Sequence, residues 1–191
     1  MFTSLVGVLT LTSALLLALA PAPLTPDSTT TLFAMEPPET LDVIFNTPTP
    51  VQNARWKYIY VHHSRTSGGD AASVNSHDKT GMGDHFLIGN GEGAIDGVVQ
   101  VGPRWYEQNS AAAPAGARSI EPTCISICLV GDFDQTRPTP TQLRRLTQLV
   151  STLQARFRIP AESVMMVNQP ANPAAIGKYF PVASVREQLL P

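Results

Sequence analysis

The sequence has no long run of charges of one sign and no internal repeat. Its formal net charge is −2, and 43% of its 191 residues are hydrophobic. Nucleic-acid sites and polybasic membrane patches need clustered Lys and Arg, so we expect no DNA or RNA partner. The length and the hydrophobic content are sufficient for one ordinary domain with a normal core.

Cysteine occurs only at Cys124 and Cys128. Both lie in the apolar run 124–130, which is typical of a β-strand. Four residues of extended chain span about 13 Å, which is far beyond the reach of a disulfide bond. We therefore expect two free thiols, with Cys128 as a small apolar strand residue.

Lys and Arg are also absent before Arg55. The uncharged stretch 5–20 nevertheless ends in an Ala-Leu-Ala pattern, which predicts a secretory signal peptide in residues 1–22. Pro21 follows the best cleavage position, so an uncleaved membrane anchor remains an alternative. In both cases the protein is expected to be exported to the periplasm or cell envelope, with membrane contact only through this segment.

Residues 23–53 are rich in Pro and Thr and poor in charge, which is typical of a linker. Only residues 41–45 within it suggest a short ordered segment. We expect the folded domain to occupy residues 54–191.

The apolar patterns of that domain predict alternating strands and helices. Thr139, Pro140 and Gln142 form the start signals of a helix, including a capping box. The predicted strands are 56–63, 85–89, 97–101, 125–130 and 164–167, and the predicted helices are 71–79, 139–157 and 184–190. This order favours an α/β fold with a single mixed β-sheet flanked by helices.

Strand 56–63 ends in two histidines. Alternation along a strand places Tyr60 and His62 on one face and His63 on the other. We therefore interpret His62 as a site residue near a strand end and His63 as a structural residue. His77 is interpreted as a polar helix or loop residue.

Three stretches of the domain carry a family resemblance. They are Tyr-Val-His-His-Ser at 60–64, Gly-Asp-His-Phe-Leu-Ile at 83–88 continuing to Gly-Pro-Arg-Trp at 102–105, and Ile-Ser-Ile-Cys-Leu-Val-Gly-Asp-Phe at 125–133. Together with the helix 139–157 and the segment 177–181, they resemble the type 2 N-acetylmuramoyl-L-alanine amidases and the peptidoglycan-recognition proteins. The resemblance implies the amidase/peptidoglycan-recognition fold and a peptidoglycan or muropeptide ligand.

Members of that family hydrolyse the amide between N-acetylmuramic acid and L-alanine with a zinc ion held by two His and one Cys. His62 matches the first of these ligands. Val167 lies near the position of the second ligand, and Ala175 stands at the position of the Cys, so His62 is the only ligand position retained. The resemblance therefore implies a degenerate zinc site, and we expect no cofactor and no catalysis.

Other residues of the resembling stretches are candidates for contact with a muropeptide. Asp84 stands at the family Tyr position, and Trp105 either stacks on a sugar or packs beneath its loop. Arg104 and Lys178 are candidates for pairing with carboxylates of the stem peptide. The full set of candidate binding residues is His62, Asp84, His85, Arg104, Trp105, Asn168 and Lys178.

Two alternatives remain open at this point. His62, His85 and Cys128, or a set that includes Asp84, would form a relocated zinc site and an active amidase, since imidazole, thiolate and carboxylate all bind zinc. The other alternative is a non-catalytic scaffold that binds an envelope protein. An acid/base pair of Asp84 and His85 is disfavoured because adjacent strand residues face opposite sides.

Overall fold

The computed structural model describes residues 41–74, 82–112, 121–166 and 176–190. The predicted leader at 1–22, the predicted linker up to residue 40, His77 and the stretch 167–175 lie outside these residues. Within the described ranges, no helix is both long enough and apolar enough to cross a bilayer.

The described residues contain one mixed five-stranded sheet with the strand order β3-β2-β4-β1-β5. The strands are β1 Tyr58–His63, β2 Phe86–Ile88, β3 Val99–Val101, β4 Cys124–Leu129 and β5 Val164–Met165. Only β2 and β3 pair in antiparallel orientation, and all other pairs are parallel. The prediction of an α/β fold with a mixed sheet is confirmed.

The register between β1 and β4 creates a polar face in the middle of the sheet. Tyr60 pairs with Ser126, and His62 pairs with Cys128. Registered residues of parallel neighbours point to the same side of a sheet. Four functional groups from two strands therefore share one face.

The opposite face carries the main hydrophobic core. Ile59, Val61, Ile125, Ile127 and Leu129 alternate with the polar set and are fully buried. They pack with Leu146, Leu149, Val150 and Leu153 of the long helix. Burying apolar side chains on one face of a sheet against a helix is the main source of stability in such a domain.

The long helix α2, Pro140–Phe157, begins as predicted. The Thr139 side chain accepts a hydrogen bond from the Gln142 amide, and the Gln142 side chain accepts one from the Thr139 amide, so the capping box is confirmed. The buried Gln142 amide group also donates to the carbonyl oxygens of Ile88 and Val130, at 3.2 and 2.8 Å. One residue thus caps the helix and attaches it to the ends of two strands.

Residues 41–45, which the sequence assigns to the linker 23–53, belong to the packed domain. Leu41–Phe45 forms a 3₁₀ helix in which Ile44 is buried in the main core. The carbonyl oxygen of Ile44 accepts a hydrogen bond from Nε1 of Trp105 at 2.6 Å. The short ordered segment that the sequence suggests at 41–45 is therefore packed against the core of the domain.

The remaining described elements are short. They are helix α1, Pro103–Tyr106, a 3₁₀ helix at Ala161–Ser163 and helix α3, Val182–Arg186. The C-terminal helix starts two residues earlier than predicted, directly after Pro181. Residues 71–74 form a turn, and the rest of the predicted helix 71–79 lies outside the described residues. Cys124 and Cys128 are both free and buried, as the strand geometry requires.

Candidate functional site

The centre of the polar face is a pair formed by His62 and Asp84. Nε2 of His62 lies 2.8 Å from Oδ1 of Asp84, and the two residues are 8% and 4% exposed. They come from different elements, since His62 lies in β1 and Asp84 comes two residues before β2. The fold therefore brings together two groups that are separated by 22 positions in the chain.

Two neighbouring side chains hold this pair in place. The hydroxyl group of Ser126, which is completely buried, donates a hydrogen bond to the same Oδ1 of Asp84. The ring of Tyr60 stacks on the ring of His62 at 5.2 Å between centroids and 15° between planes. Burial and the charge of Asp84 raise the pKa of Tyr60, so its hydroxyl group stays protonated.

The hydrogen bonds of His62 define its protonation. Nδ1 faces the carbonyl oxygen of His63 at 3.3 Å, and Nε2 faces the carboxylate of Asp84. A carbonyl and a carboxylate oxygen only accept hydrogen bonds, so both ring nitrogens act as donors. The ring is then an imidazolium that pairs with an ionised carboxylate.

The local energetics favour the same charge state. Burial opposes the charged form of both groups, but their mutual attraction and hydrogen bonding outweigh it. As a result, the pKa of His62 lies above its ordinary value and the pKa of Asp84 lies below. The pair is charged internally and neutral as a whole.

Cys128 lies beside this pair, in surroundings that disfavour its thiolate. Its Sγ, a carboxylate oxygen of Asp84 and a ring nitrogen of His62 all lie within 4.8 Å of one another. Burial and the negative charge of Asp84 raise the pKa of the Cys128 thiol well above its ordinary value. A reactive cysteine needs a lowered pKa and a basic imidazole, and neither is present.

Zinc does not fit the arrangement of the donors among the described residues. Nε2 of His62 and Oδ1 of Asp84 are hydrogen-bonded directly to each other, and the same oxygen also accepts a hydrogen bond from Ser126. The His62–Asp84 distance of 2.8 Å is also shorter than the separation of about 3.3 Å between two ligands of a tetrahedral zinc ion. The family positions near Val167 and Ala175 supply no ligand chemistry either.

His85, predicted as a binding residue, is a structural residue. It is fully buried, and its Nε2 donates to the carbonyl oxygen of Asn109 at 2.8 Å while its Nδ1 accepts from the Ser126 amide at 2.9 Å. Burial lowers its pKa to about 4. Both nitrogens are occupied in the neutral form, so His85 offers nothing to a ligand. As expected, Asp84 and His85 do not form a pair.

Trp105, also predicted to contact a ligand, lies in the hydrophobic core. It is completely buried, and its ring packs on Phe86 at 4.7 Å and on Trp56 at 5.7 Å between centroids. Of the two readings of the sequence, packing beneath the loop is the correct one. Arg104, its neighbour in α1, donates through a terminal guanidinium nitrogen to the carbonyl oxygen of Ser110 at 3.0 Å.

Of the two remaining predicted binding residues, Lys178 lies on the surface and Asn168 lies in the stretch 167–175, outside the described residues. Lys178 is exposed, with its ammonium group 4.9 Å above the ring of Tyr179. Its backbone amide donates to the carboxylate of Asp134 at 3.2 Å. Asn168, together with Val167 and Ala175, lies outside the described residues.

His63 has the structural role that strand alternation predicts. Its ring stacks on Phe133, and its Nδ1 accepts a hydrogen bond from the Phe133 amide at 2.9 Å. Burial lowers its pKa. His63 therefore supports the loop after β4 from the core side of the sheet.

Sequence reasoning missed the contributions of Tyr60 and Ser126. A signal existed for Tyr60, because it shares the strand face of His62. Ser126 is the only hydroxyl residue in the apolar run 124–130, and an isolated hydroxyl in a buried strand requires a hydrogen-bond partner. The sequence did not identify that partner as Asp84.

Comparison with known proteins defines the family to which this chain belongs. Residues 52–176, well over half of the chain, match the model of the family described as N-acetylmuramoyl-L-alanine amidase. The chain therefore belongs to the N-acetylmuramoyl-L-alanine amidase family. A comparison with curated proteins finds no significant match.

Solved structures with a similar fold include two amidases from Clostridium intestinale URNW. The N-acetylmuramoyl-L-alanine amidase LysC has a TM-score of 0.54 and 21% identity, over 73% of this chain and 89% of that chain. The endolysin N-acetylmuramoyl-L-alanine amidase LysCS has a TM-score of 0.52 and 21% identity, over 73% and 88%. Bumblebee PGRP-SA matches at a TM-score of 0.49 and 16% identity, over 68% and 80%. The two amidases support the fold.

Proposed function

We propose that this protein binds peptidoglycan or muropeptide fragments and does not hydrolyse them through zinc. Membership of the amidase family supports a peptidoglycan-related function. The observation that carries the loss of hydrolysis is the direct hydrogen bond of 2.8 Å between Nε2 of His62, the one retained ligand position, and Oδ1 of Asp84. A water-activating zinc ion requires three protein ligands, and Val167 and Ala175, at or near the other two family positions, have no side-chain ligand atoms.

The proposed ligand is consistent with the chemistry on the polar face. His62 and Asp84 form an overall neutral pair on that face, and Lys178, which is exposed on the loop before α3, offers a separate cation for a carboxylate. Stem peptides carry such carboxylates. We further propose that the protein is exported, since peptidoglycan lies outside the cytoplasmic membrane.

Co-sedimentation with insoluble peptidoglycan tests binding, and mass spectrometry of the supernatant tests hydrolysis. We expect the wild-type protein to pellet with peptidoglycan, with or without a chelator, and to release no stem peptide. Lys178→Gln should weaken binding about threefold, whereas the matched substitution Lys57→Gln, directly before β1, should not. A protein that stays in the supernatant would refute the binding function.

One observation favours a second function. Cys128, Asp84 and His62 bring one thiol, one carboxylate and one imidazole within 4.8 Å. If zinc displaced the protons of these three groups, they would form a relocated metal site, and the protein would retain the amide hydrolysis of the amidase family. Chelator-sensitive release of stem peptides in the same experiment would select this function. Retention on a single envelope protein without peptidoglycan binding would instead identify a scaffold.

A further inference from the structure

We propose that Asp84 is a positioning residue that replaces a metal ion as the centre of the site. Its carboxylate fixes the ring of His62 and is itself fixed by Ser126, so the polar face keeps its geometry without a cation. This positioning role of Asp84 does not depend on whether the ligand is peptidoglycan.

Asp84 connects three strands of the sheet. A single oxygen atom of Asp84 accepts hydrogen bonds from β1 through His62 and from β4 through Ser126. Asp84 itself comes just before β2, so three strands of the sheet meet at this carboxylate. A metal ion joins separate elements in the same manner, because its ligands come from different parts of the chain.

The direct contact between His62 and Asp84 leaves no room for an ion between them. Nε2 of His62 lies 2.8 Å from Oδ1 of Asp84, and that same oxygen also accepts the hydrogen bond from Ser126. Two ligands of a tetrahedral zinc ion lie about 3.3 Å apart, so a cation could enter only by breaking this hydrogen bond and separating the two groups. The hydrogen-bonded pair and a metal site therefore cannot exist together.

Burial further restricts the carboxylate of Asp84. Ser126 is fully buried, and Asp84 is 4% exposed. A buried carboxylate is tolerated only when it is paired and hydrogen-bonded. His62 supplies the opposite charge, and His62 and Ser126 both hydrogen-bond to the carboxylate. The charge of Asp84 is therefore compensated within the protein and does not require an ion.

Zinc binding and the protonation of the His62 ring test the proposal in the full-length protein. The protein would be loaded with excess zinc, passed through gel filtration and analysed for bound metal, and Co²⁺ would serve as an optical probe for thiolate coordination. We expect well below one zinc per chain and no thiolate absorption, both in the wild type and in Cys128→Ser. One zinc per wild-type chain, with affinity lost at least tenfold in Asp84→Asn and in Cys128→Ser, would overturn the proposal.

The positioning role has its own spectroscopic signature. In a long-range ¹H–¹⁵N spectrum at neutral pH, assigned with His62→Gln, both ring nitrogens of His62 should carry protons in the wild type and in Cys128→Ser. Asp84→Asn should leave one nitrogen unprotonated, and Ser126→Ala should broaden or shift the Nε2–H signal. An unprotonated Nε2 in the wild-type protein would overturn the proposal even if Asp84→Asn fails to fold. Neither measurement uses peptidoglycan, so its result is independent of the proposed function.

Discussion

His62 and His63 are consecutive in β1, and their rings lie on opposite faces of the sheet. The ring of His62 stacks on Tyr60 at 5.2 Å, and the ring of His63 stacks on Phe133 at 5.4 Å. One imidazole therefore belongs to the polar face and the other to the packed side. The different roles of two chemically identical neighbours follow from the alternation of strand residues.

A double-mutant cycle measures the coupling between His62 and Asp84. Asp84→Ala should lower the free energy of unfolding by roughly 3 kcal/mol, because it leaves a buried imidazole without its partner. The double variant His62→Ala/Asp84→Ala should lose less than the sum of the single variants, with a coupling energy of about 2 kcal/mol. Urea denaturation gives all four values, and strictly additive losses would contradict the pairing.

The stability of the domain should depend on pH through His85. Burial lowers the folded pKa of His85 to about 4 from an ordinary value of 6.5. The contribution of neutral His85 to the free energy of unfolding is therefore complete above pH 6.5. It is lost as the pH falls from 6.5 towards 4, because His85 of the unfolded chain binds its proton at a higher pH than His85 of the folded chain. The loss amounts to about 3 kcal/mol.

The variant His85→Gln separates this contribution from those of other titrating groups. Urea denaturation at several pH values should give a difference between wild type and variant that shrinks as the pH falls through this window. A difference that is constant between pH 7 and pH 4 would show that His85 is accessible to protons in the folded state.

Ile44 and Val43 are adjacent and form a matched pair for testing the start of the domain. Ile44 is 3% exposed, whereas Val43 is 72% exposed. Ile44→Ala should lower the free energy of unfolding by about 3 kcal/mol, because it leaves a cavity in the main core. Val43→Ala should change it by less than about 0.5 kcal/mol. Equal effects of the two substitutions in thermal or urea denaturation would show that residues 41–45 are part of the linker and do not pack on the core.

Trp105 and Tyr106 provide a similar contrast in α1. Trp105→Phe should destabilise the domain by about 2 kcal/mol, because it removes a buried ring and the hydrogen bond to Ile44. Tyr106 is 40% exposed, so Tyr106→Ala should have little effect on stability. If Trp105→Phe left stability unchanged and weakened peptidoglycan binding alone, the core placement of Trp105 would be wrong.

Local sequence signals predicted the parts of the fold that depend on neighbouring residues. Helix α2 was identified with its first residue because Thr139, Pro140 and Gln142 determine how a helix begins. Strands 85–89 and 97–101 were likewise predicted from their local apolar patterns, and β2 and β3 lie within these ranges. Both features are set within a few residues of chain.

Features that depend on contacts between residues distant in the chain could not be predicted from local sequence patterns. Burial of Trp105 requires Ile44 and Phe86 to meet it from other elements, and its own motif does not encode that. The partner of Asp84 could not be identified either, because only the assembled sheet brings His62 beside it. Strand alternation excluded His85 as this partner but could not supply the correct one.

Calorimetric titration of a purified N-acetylmuramoyl tripeptide tests the central claim most directly, with the ligand recovered afterwards for mass spectrometry. Our account predicts saturable binding with the same affinity in the presence of a chelator and of added zinc, and recovery of the ligand intact. Binding that requires zinc, or recovery of free tripeptide after zinc addition, would contradict it.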